Sequence, residues 1–285
     1  NLNTHQALYE PSNQPLATSF YGSENNREAG FRPLSEYKLP EDRSPATAIA
    51  NPTDAVQKAA STLRKDLFSW MGQMANDTRA ALAWIAQGYL LPSGHIRAST
   101  RRQLTRRSGA LTPDEQALQD AIATVHREPV HSVILSADRY PDDEVDAQIQ
   151  ITKACVDGFG RALQTQQLVD PGKAYAVDAD GSLIVEDGQI KVVDANPRWR
   201  ISERVEYNNK GLAVRQFRPF FADTHRYVND VSLREHGYFD QVFYDALGRL
   251  IKLINAKGYF SLETHHPWYS TSQDFNDTDE SEPQP

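Results

Sequence analysis

Tyr244-Asp245-Ala246-Leu247-Gly248-Arg249, followed by the alternating run Leu250-Ile251-Lys252-Leu253-Ile254, is the stretch whose reading decides the fold. Related phrases stand at Val156-Asp157-Gly158-Phe159-Gly160-Arg161, at Tyr207-Asn208-Asn209-Lys210-Gly211-Leu212 and at Ile254-Asn255-Ala256-Lys257-Gly258-Tyr259. Tyr9-Glu10-Pro11-Ser12-Asn13-Gln14 is a worn fifth copy. A phrase that returns within one chain indicates a structural repeat.

Each copy reads as strand, turn, strand. The Asp or Asn accepts hydrogen bonds from backbone amides just ahead of it and so starts a turn. Glycine four residues after the Tyr supplies a positive φ without steric penalty, and Asn13 replaces it in the worn copy as the next best left-handed residue. The Tyr or Val ends one strand, the next strand follows the glycine, and the Tyr ring is expected to lie on the sheet. The glycines at 160, 211, 248 and 258 are 51, 37 and 10 residues apart. An irregular period predicts strands wound into a continuous sheet with variable hairpins.

The chain has 285 residues, enough for one large or two ordinary domains. Its net charge of −8 argues against a nucleic-acid partner. No run of 18 apolar residues is present, so no transmembrane helix and no direct membrane insertion are expected. The start at Asn1-Leu2-Asn3 reads as a processed end or as a piece of something longer. The one cysteine, Cys155, permits no internal disulfide and reads as a small core hydrophobe.

Four segments are expected. Residues 1–52 read as short strands and loops, with the clearest strand at Leu16–Gly22. Residues 53–128 read as a small helical insert. There a first helix is expected from a Thr53-Asp54 cap through Ala55, Ala59, Leu63, Leu67 and Trp70. A second is expected over Asp77–Gln87 and a third from Thr112-Pro113-Asp114-Glu115 to about His126. Residues 129–272 return to strands: 130–137, 148–156, 161–169, 198–207, 212–220, 241–244, 250–254 and 259–265. Asp180-Gly181 and Asp187-Gly188 read as further hairpin turns. Residues 273–285 read as an acidic, solvated tail or linker.

Groups that could carry covalent chemistry each have a plainer reading. Adjacent His265 and His266 in a strand point to opposite faces and do not converge on a metal. His225 with Asp223, Asp230 and Ser232 lacks a nucleophile elbow. Arg97, Arg101, Arg102, Arg106 and Arg107 read as a solvated basic loop. The glycines lack the strand–turn–helix context of a dinucleotide site. Trp199, Trp268, Phe217, Phe220 and Phe221 read as core or sheet packing. Neither a catalytic residue nor a cofactor is expected.

Tyr-Asp-x-x-Gly-Arg resembles the signature of RHS (YD) repeats. An ordered set of phrases runs with it: Ser136-Ala137-Asp138-Arg139-Tyr140, Arg198-Trp199-Arg200, Val205-Glu206-Tyr207, Phe220 to Tyr227, Phe243-Tyr244-Asp245, Pro267-Trp268-Tyr269 and Asn276-Asp277-Thr278. Together they resemble the C-terminal part of the TcB component of bacterial Tc (toxin complex) ABC insecticidal toxins, most strongly over 130–278. Phe68 to Gly72 and Leu91 to Gly94 extend the likeness more loosely.

The resemblance implies a mainly β RHS hairpin sheet forming part of a hollow shell, with a small helical insert that plugs or braces it. It implies a non-enzymatic, secreted component. Its partners would be the rest of the TcB chain, a TcC-like component with its toxic cargo, and a TcA-like channel reached through a propeller that this chain lacks. The residues the resemblance makes architectural are Asp157, Gly160, Arg161, Tyr207, Gly211, Tyr244, Asp245, Gly248, Arg249 and Gly258. Two other classes remain open: a cell-surface adhesion or carbohydrate-binding RHS module, and a hydrolase at His225 or His265-His266.

Overall fold

The computed structural model describes residues 3–11, 13–24, 27–106, 109–143, 147–228 and 231–278. The fold is mainly β, as the alternating runs predict. An eleven-stranded sheet runs in the order Thr4–Tyr9, Pro15–Glu24, Ser61–Asp66, Val130–Ala137, Ile149–Val156, Ala162–Val169, Arg198–Ser202, Phe220–Ala222, Gly172–Tyr175, Val192–Ala195, with Arg27–Gly30 added on Pro15–Glu24. A six-stranded antiparallel sheet follows in the order Val205–Tyr207, Ala213–Phe217, Phe239–Tyr244, Leu250–Ile254, Phe260–His265, Ser270–Gln273. The Asp187-Gly188 turn joins a two-stranded ribbon, Val185–Glu186 with Gln189–Ile190.

The expected single continuous sheet is therefore divided. Residues 198–207, read as one strand, break at Glu203, whose φ of 55° turns the chain from one sheet into the other. The run 212–220 breaks before Phe220, because Pro219 lacks the amide that would continue a ladder. Short helices over 45–50 and 52–56 cover one face of the large sheet. Val56, Val133, Leu135, Ile151, Trp199 and Ile201 form the core between them.

The first expected helix is the largest correction. Its helical part ends at Val56, and Gln57 takes a φ of 53°. Ser61–Asp66 is then a strand within the sheet, paired with Val130–Ala137 through six residue pairs. Thr62 and Arg64 are buried on alternate positions, whereas Leu67 and Trp70 of the helical stripe are about half exposed. The apolar spacing at 59–70 matched a helix by coincidence, and the strand's inward charge, Arg64, hid its period of two.

The other helices follow their signals. Arg79–Ala86 is capped by Thr78 and stops before Gly88. Pro113–Ala123 carries a full Thr112–Glu115 capping box. The arginine run is not a loop: Ala98–Arg106 is helical, and Arg107 lies outside the described residues. Leu90, Ile96, Leu104, Leu118 and Ile122 close these helices around a second core. At the C-terminal end, Gln273 belongs to a strand rather than a tail. Thr278 donates to the Phe260 carbonyl at 2.6 Å, which pins 274–278 back on the sheet. Residues 279–285 lie outside the described residues.

Candidate functional site

The repeated phrase builds one turn, used six times among the described residues. At Asp157, Asp178, Asn208, Asp245 and Asn255 the residue's own amide donates to the carbonyl four residues on, and the amide three residues on donates back. Glu10 does the same with Gln14 and Asn13. This is a three-residue hairpin loop closed by a left-handed residue. That residue has φ between 60° and 87° in all six: Asn13, Gly160, Gly181, Gly211, Gly248 and Gly258. The 178–182 copy, Val177-Asp178-Ala179-Asp180-Gly181, has the Val-Asp-x-x-Gly form of the 156–160 copy, although only its Asp180-Gly181 was read as a hairpin turn from sequence.

The side chain at the first position fixes each loop. Asp245 Oδ1 accepts from the Leu247 and Arg249 amides, both at 2.9 Å, and Oδ2 takes Arg249 Nε at 2.7 Å. Asp157 repeats this with Phe159 and Arg161. Asn208 and Asn255 hold the same two amides without the arginine clamp. Hydrogen bonds from the Arg249 amide, its guanidinium and the Leu247 amide hold the Asp245 carboxyl below the usual range. At Asp157 desolvation pulls upward, and the bonds from Arg161 and Phe159 outweigh it.

The loops also stack on one another. Tyr207 Oη donates to the Ala162 carbonyl at 2.9 Å, and Tyr244 Oη donates to the Ala213 carbonyl at 3.0 Å. In both, the acceptor lies two residues beyond the glycine of the neighbouring loop. The Arg161 guanidinium lies 4.3 Å from the Tyr207 ring centre and covers Gly211, where an added Cβ would meet its Nη1 at 2.7 Å. Lys210 Nζ donates to the Ala246 carbonyl. Thus Asp157, Gly160, Arg161, Tyr207, Gly211, Tyr244, Asp245, Gly248 and Arg249 line one rim of the molecule. Gly258 turns the chain at the opposite end of its sheet. The rim carries large exposed side chains at its tips: Phe159 87%, Leu247 79% and Trp268 94% exposed. Trp268 therefore departs from the expected packed role, whereas Trp199 and Phe217 are core residues.

The large sheet has two unlike faces. One carries Leu135, Ile151 and Trp199 against the helices. The register puts two rows on the other face: Leu63, Ile134, Thr152, Gln167, Arg200, Phe221, and beside it Lys65, Ser132, Ala154, Thr165, Ser202. These residues are half-buried or exposed, and neither row contains an acid.

The candidate chemical groups do not converge. His265 Nε2 pairs with the Leu250 carbonyl at 2.8 Å, while exposed His266 stacks on Tyr269. His225 packs on Trp199, and the Asp223 carboxylate accepts from the Val177 amide. Asp230 lies outside the described residues. Cys155 is buried, and burial pushes its thiol up to about 11. Among the described residues no three His, Cys, Asp or Glu side chains are grouped to hold a metal ion. No helix there is long and apolar enough to cross a membrane.

One polar cluster escaped the sequence reading. Lys153 Nζ, inside the sheet, donates to Glu128 Oε2 at 2.5 Å and to the His225 carbonyl at 3.2 Å. His126 and His131 each stand 3.9 Å from a Glu128 oxygen. A cleft of about 400 Å³ opens over these groups. A lysine within an alternating strand was the only available signal.

No family model and no curated protein matches the chain. Solved structures do. The crystal structure of TcdB2-TccC3-Cdc42 matches at 28% identity and a TM-score of 0.80, covering 96% of this chain and 13% of that one. TcdB2-TccC3 without its hypervariable C-terminal region matches at 28% and 0.81, with the same coverage. The Photorhabdus luminescens Tc holotoxin pore matches at 28% and 0.77, covering 96% and 12%. The likeness is to a TcB/TcC-type component of a Tc toxin, and it extends over nearly the whole chain. The chain spans roughly an eighth of the solved chains it matches.

Proposed function

We propose that this chain is a strip of the wall of a hollow RHS shell, secreted as part of a Tc toxin, in which a TcB-type chain and a TcC-like component enclose a cytotoxic protein and deliver it through a TcA-like channel. The role is structural and requires no catalytic group. The observation that carries the reading is the asymmetry of the large sheet. One face is sealed by its own helices, and the other is open, with no acid within its two rows; Glu203, at the break in the sheet, reaches the edge of one row by accepting from Thr165 at 2.7 Å. Alternation of this kind suits a sheet whose two faces meet different surroundings.

Confinement is the mechanism. A face that mixes Ser, Thr, Gln and Ala with scattered Leu63, Ile134 and Phe221, and that carries Lys65 and Arg200 as its charges in these rows, offers a cargo chain few ionic anchors, so the cargo is held by enclosure and stays free to leave. The stacked loops join neighbouring hairpins into one rim, and the exposed Phe159 and Leu247 tips are what adjoining wall would cover. The helices over 79–123 brace the strip from outside the strand spiral. A propeller elsewhere in the TcB-type chain would provide the contact with the channel.

Single cysteines at Ser132 and Thr152, on the bare face, test the reading. In the assembled component with its TcC-like partner, a bulky polymer-linked maleimide should fail to label them while labelling an exposed control. Full labelling in the assembly would exclude an enclosed face. The exposed Trp268-Tyr269 pair is the observation that favours a carbohydrate-binding module instead, and a glycan array reporting binding lost in Trp268→Ala would support that reading.

A further inference from the structure

We propose that the segment 223–228 is an acid-released clasp on the large sheet, opened by protonation of imidazoles packed around the buried Lys153–Glu128 pair. The clasp has no part in the confinement reading and stands without it.

Three parts of the chain meet at Glu128. Its own segment leads from the helices into Val130–Ala137. Its Oε2 holds Lys153 of the neighbouring strand, and its Oε1 accepts from the Tyr227 amide at 3.0 Å. Lys153 in turn grips the His225 carbonyl, so both members of the ion pair hold the same segment. Val177 and Tyr175 hold its other end through Asp223.

The charged and titratable groups facing this junction come from four places. From 126–131 come His126, Glu128 and His131; from the large sheet come Asp66, Lys153 and Cys155; from the clasp come Asp223, His225, Arg226 and Tyr227; and beside Tyr227 stand Arg204, 5.7 Å from its ring centre, and Glu206. Asp66 already takes His95 at 3.2 Å. Burial, then the Lys153 charge, holds His131 below its ordinary value and lowers His225 to about 4. Burial alone would raise the Glu128 carboxyl, but the Lys153 charge and the hydrogen bonds from Lys153 and Tyr227 hold it below the usual range. The carboxylate therefore survives to a lower pH than the imidazoles' free value.

A histidine kept neutral in the closed state favours closure above its free pKa of roughly 6.5, and that preference is lost as pH falls toward 4. For His225 alone, opening becomes about 30-fold more favourable at pH 5 than at pH 7.5. A new cation on His225 or His131 would also face Lys153 across a site whose one shared acid is already engaged.

Hydrogen exchange of the full chain tests this. Protection of the Tyr227 and Asp223 amides, corrected for intrinsic rates, should fall about 30-fold between pH 7.5 and 5, while Ile149–Val156 stays protected. His225→Phe keeps a ring on Trp199 and should remove most of the fall. Unchanged protection, an equal fall in the variant, or simultaneous loss across the sheet would overturn the clasp. Should that variant not fold, the wild-type His225 resonance decides. A midpoint near the free value while the Tyr227 amide stays protected contradicts the proposal, and a depressed midpoint that tracks loss of Tyr227 protection supports it.

Discussion

Replacing Gly248 isolates what the repeated phrase contributes. Its φ is 84°, a region in which a side chain bearing a Cβ is strained. An added Cβ would meet only Leu212 Cδ1, at 3.4 Å, so steric crowding is a minor part of the penalty. Backbone strain in Gly248→Val should therefore destabilise the fold by about 1–3 kcal/mol. The chain carries its own control: Asn13 occupies the same turn position with φ 60°. Asparagine tolerates this region, so Gly248→Asn should be destabilised by less than about 1 kcal/mol. Urea unfolding of the two variants, compared through their midpoints at unchanged slope, measures the difference. Equal losses for Val and Asn, or none for Val, would refute the claim that a left-handed backbone is what the glycine supplies.

Lys153→Met leaves the Glu128 carboxylate in a largely buried site without its cation, and should cost about 3–5 kcal/mol; adding Glu128→Gln should recover part of that loss. Asn208→Ala removes the acceptor of two loop amides, and calorimetry should show a loss of roughly 1 kcal/mol, with the neighbouring 245–249 loop weakened through Lys210. Cys155, with its thiol pushed up to about 11, should resist thiol reagents at pH 8 in the folded chain and react fully in denaturant. A rapidly modified Cys155 would place that strand at a surface.

The hairpins were legible because their signals are local. An Asp or Asn and a glycine three residues later dictate the loop by themselves, whatever the rest of the chain does. Strand pairing from Val130 to Val169 followed from alternation, since His131, Val133 and Leu135 face one way and Ser132, Ile134 and Ser136 the other. The strand Ser61–Asp66 was illegible because its inward residues are Thr62 and Arg64. Arg64 is accommodated there because Tyr37 Oη and the Leu16 carbonyl receive its guanidinium, a condition set by distant chain. The break at Glu203 was hidden for the same reason, since nothing in Ser202-Glu203-Arg204 announces a positive φ. The stacking of Tyr207 on Ala162 and the Lys153–Glu128 junction join residues 45 and 25 positions apart, and no short phrase encodes such partners.

Electron cryo-microscopy of this chain in the assembly proposed above, with a TcC-like component, tests enclosure most directly. The account predicts that the row Leu63, Ile134, Thr152, Gln167 lines a closed internal cavity and that the Phe159–Leu247 rim abuts neighbouring wall. A map in which that row faces bulk solvent, with the rim uncovered and no cavity behind the sheet, would contradict it.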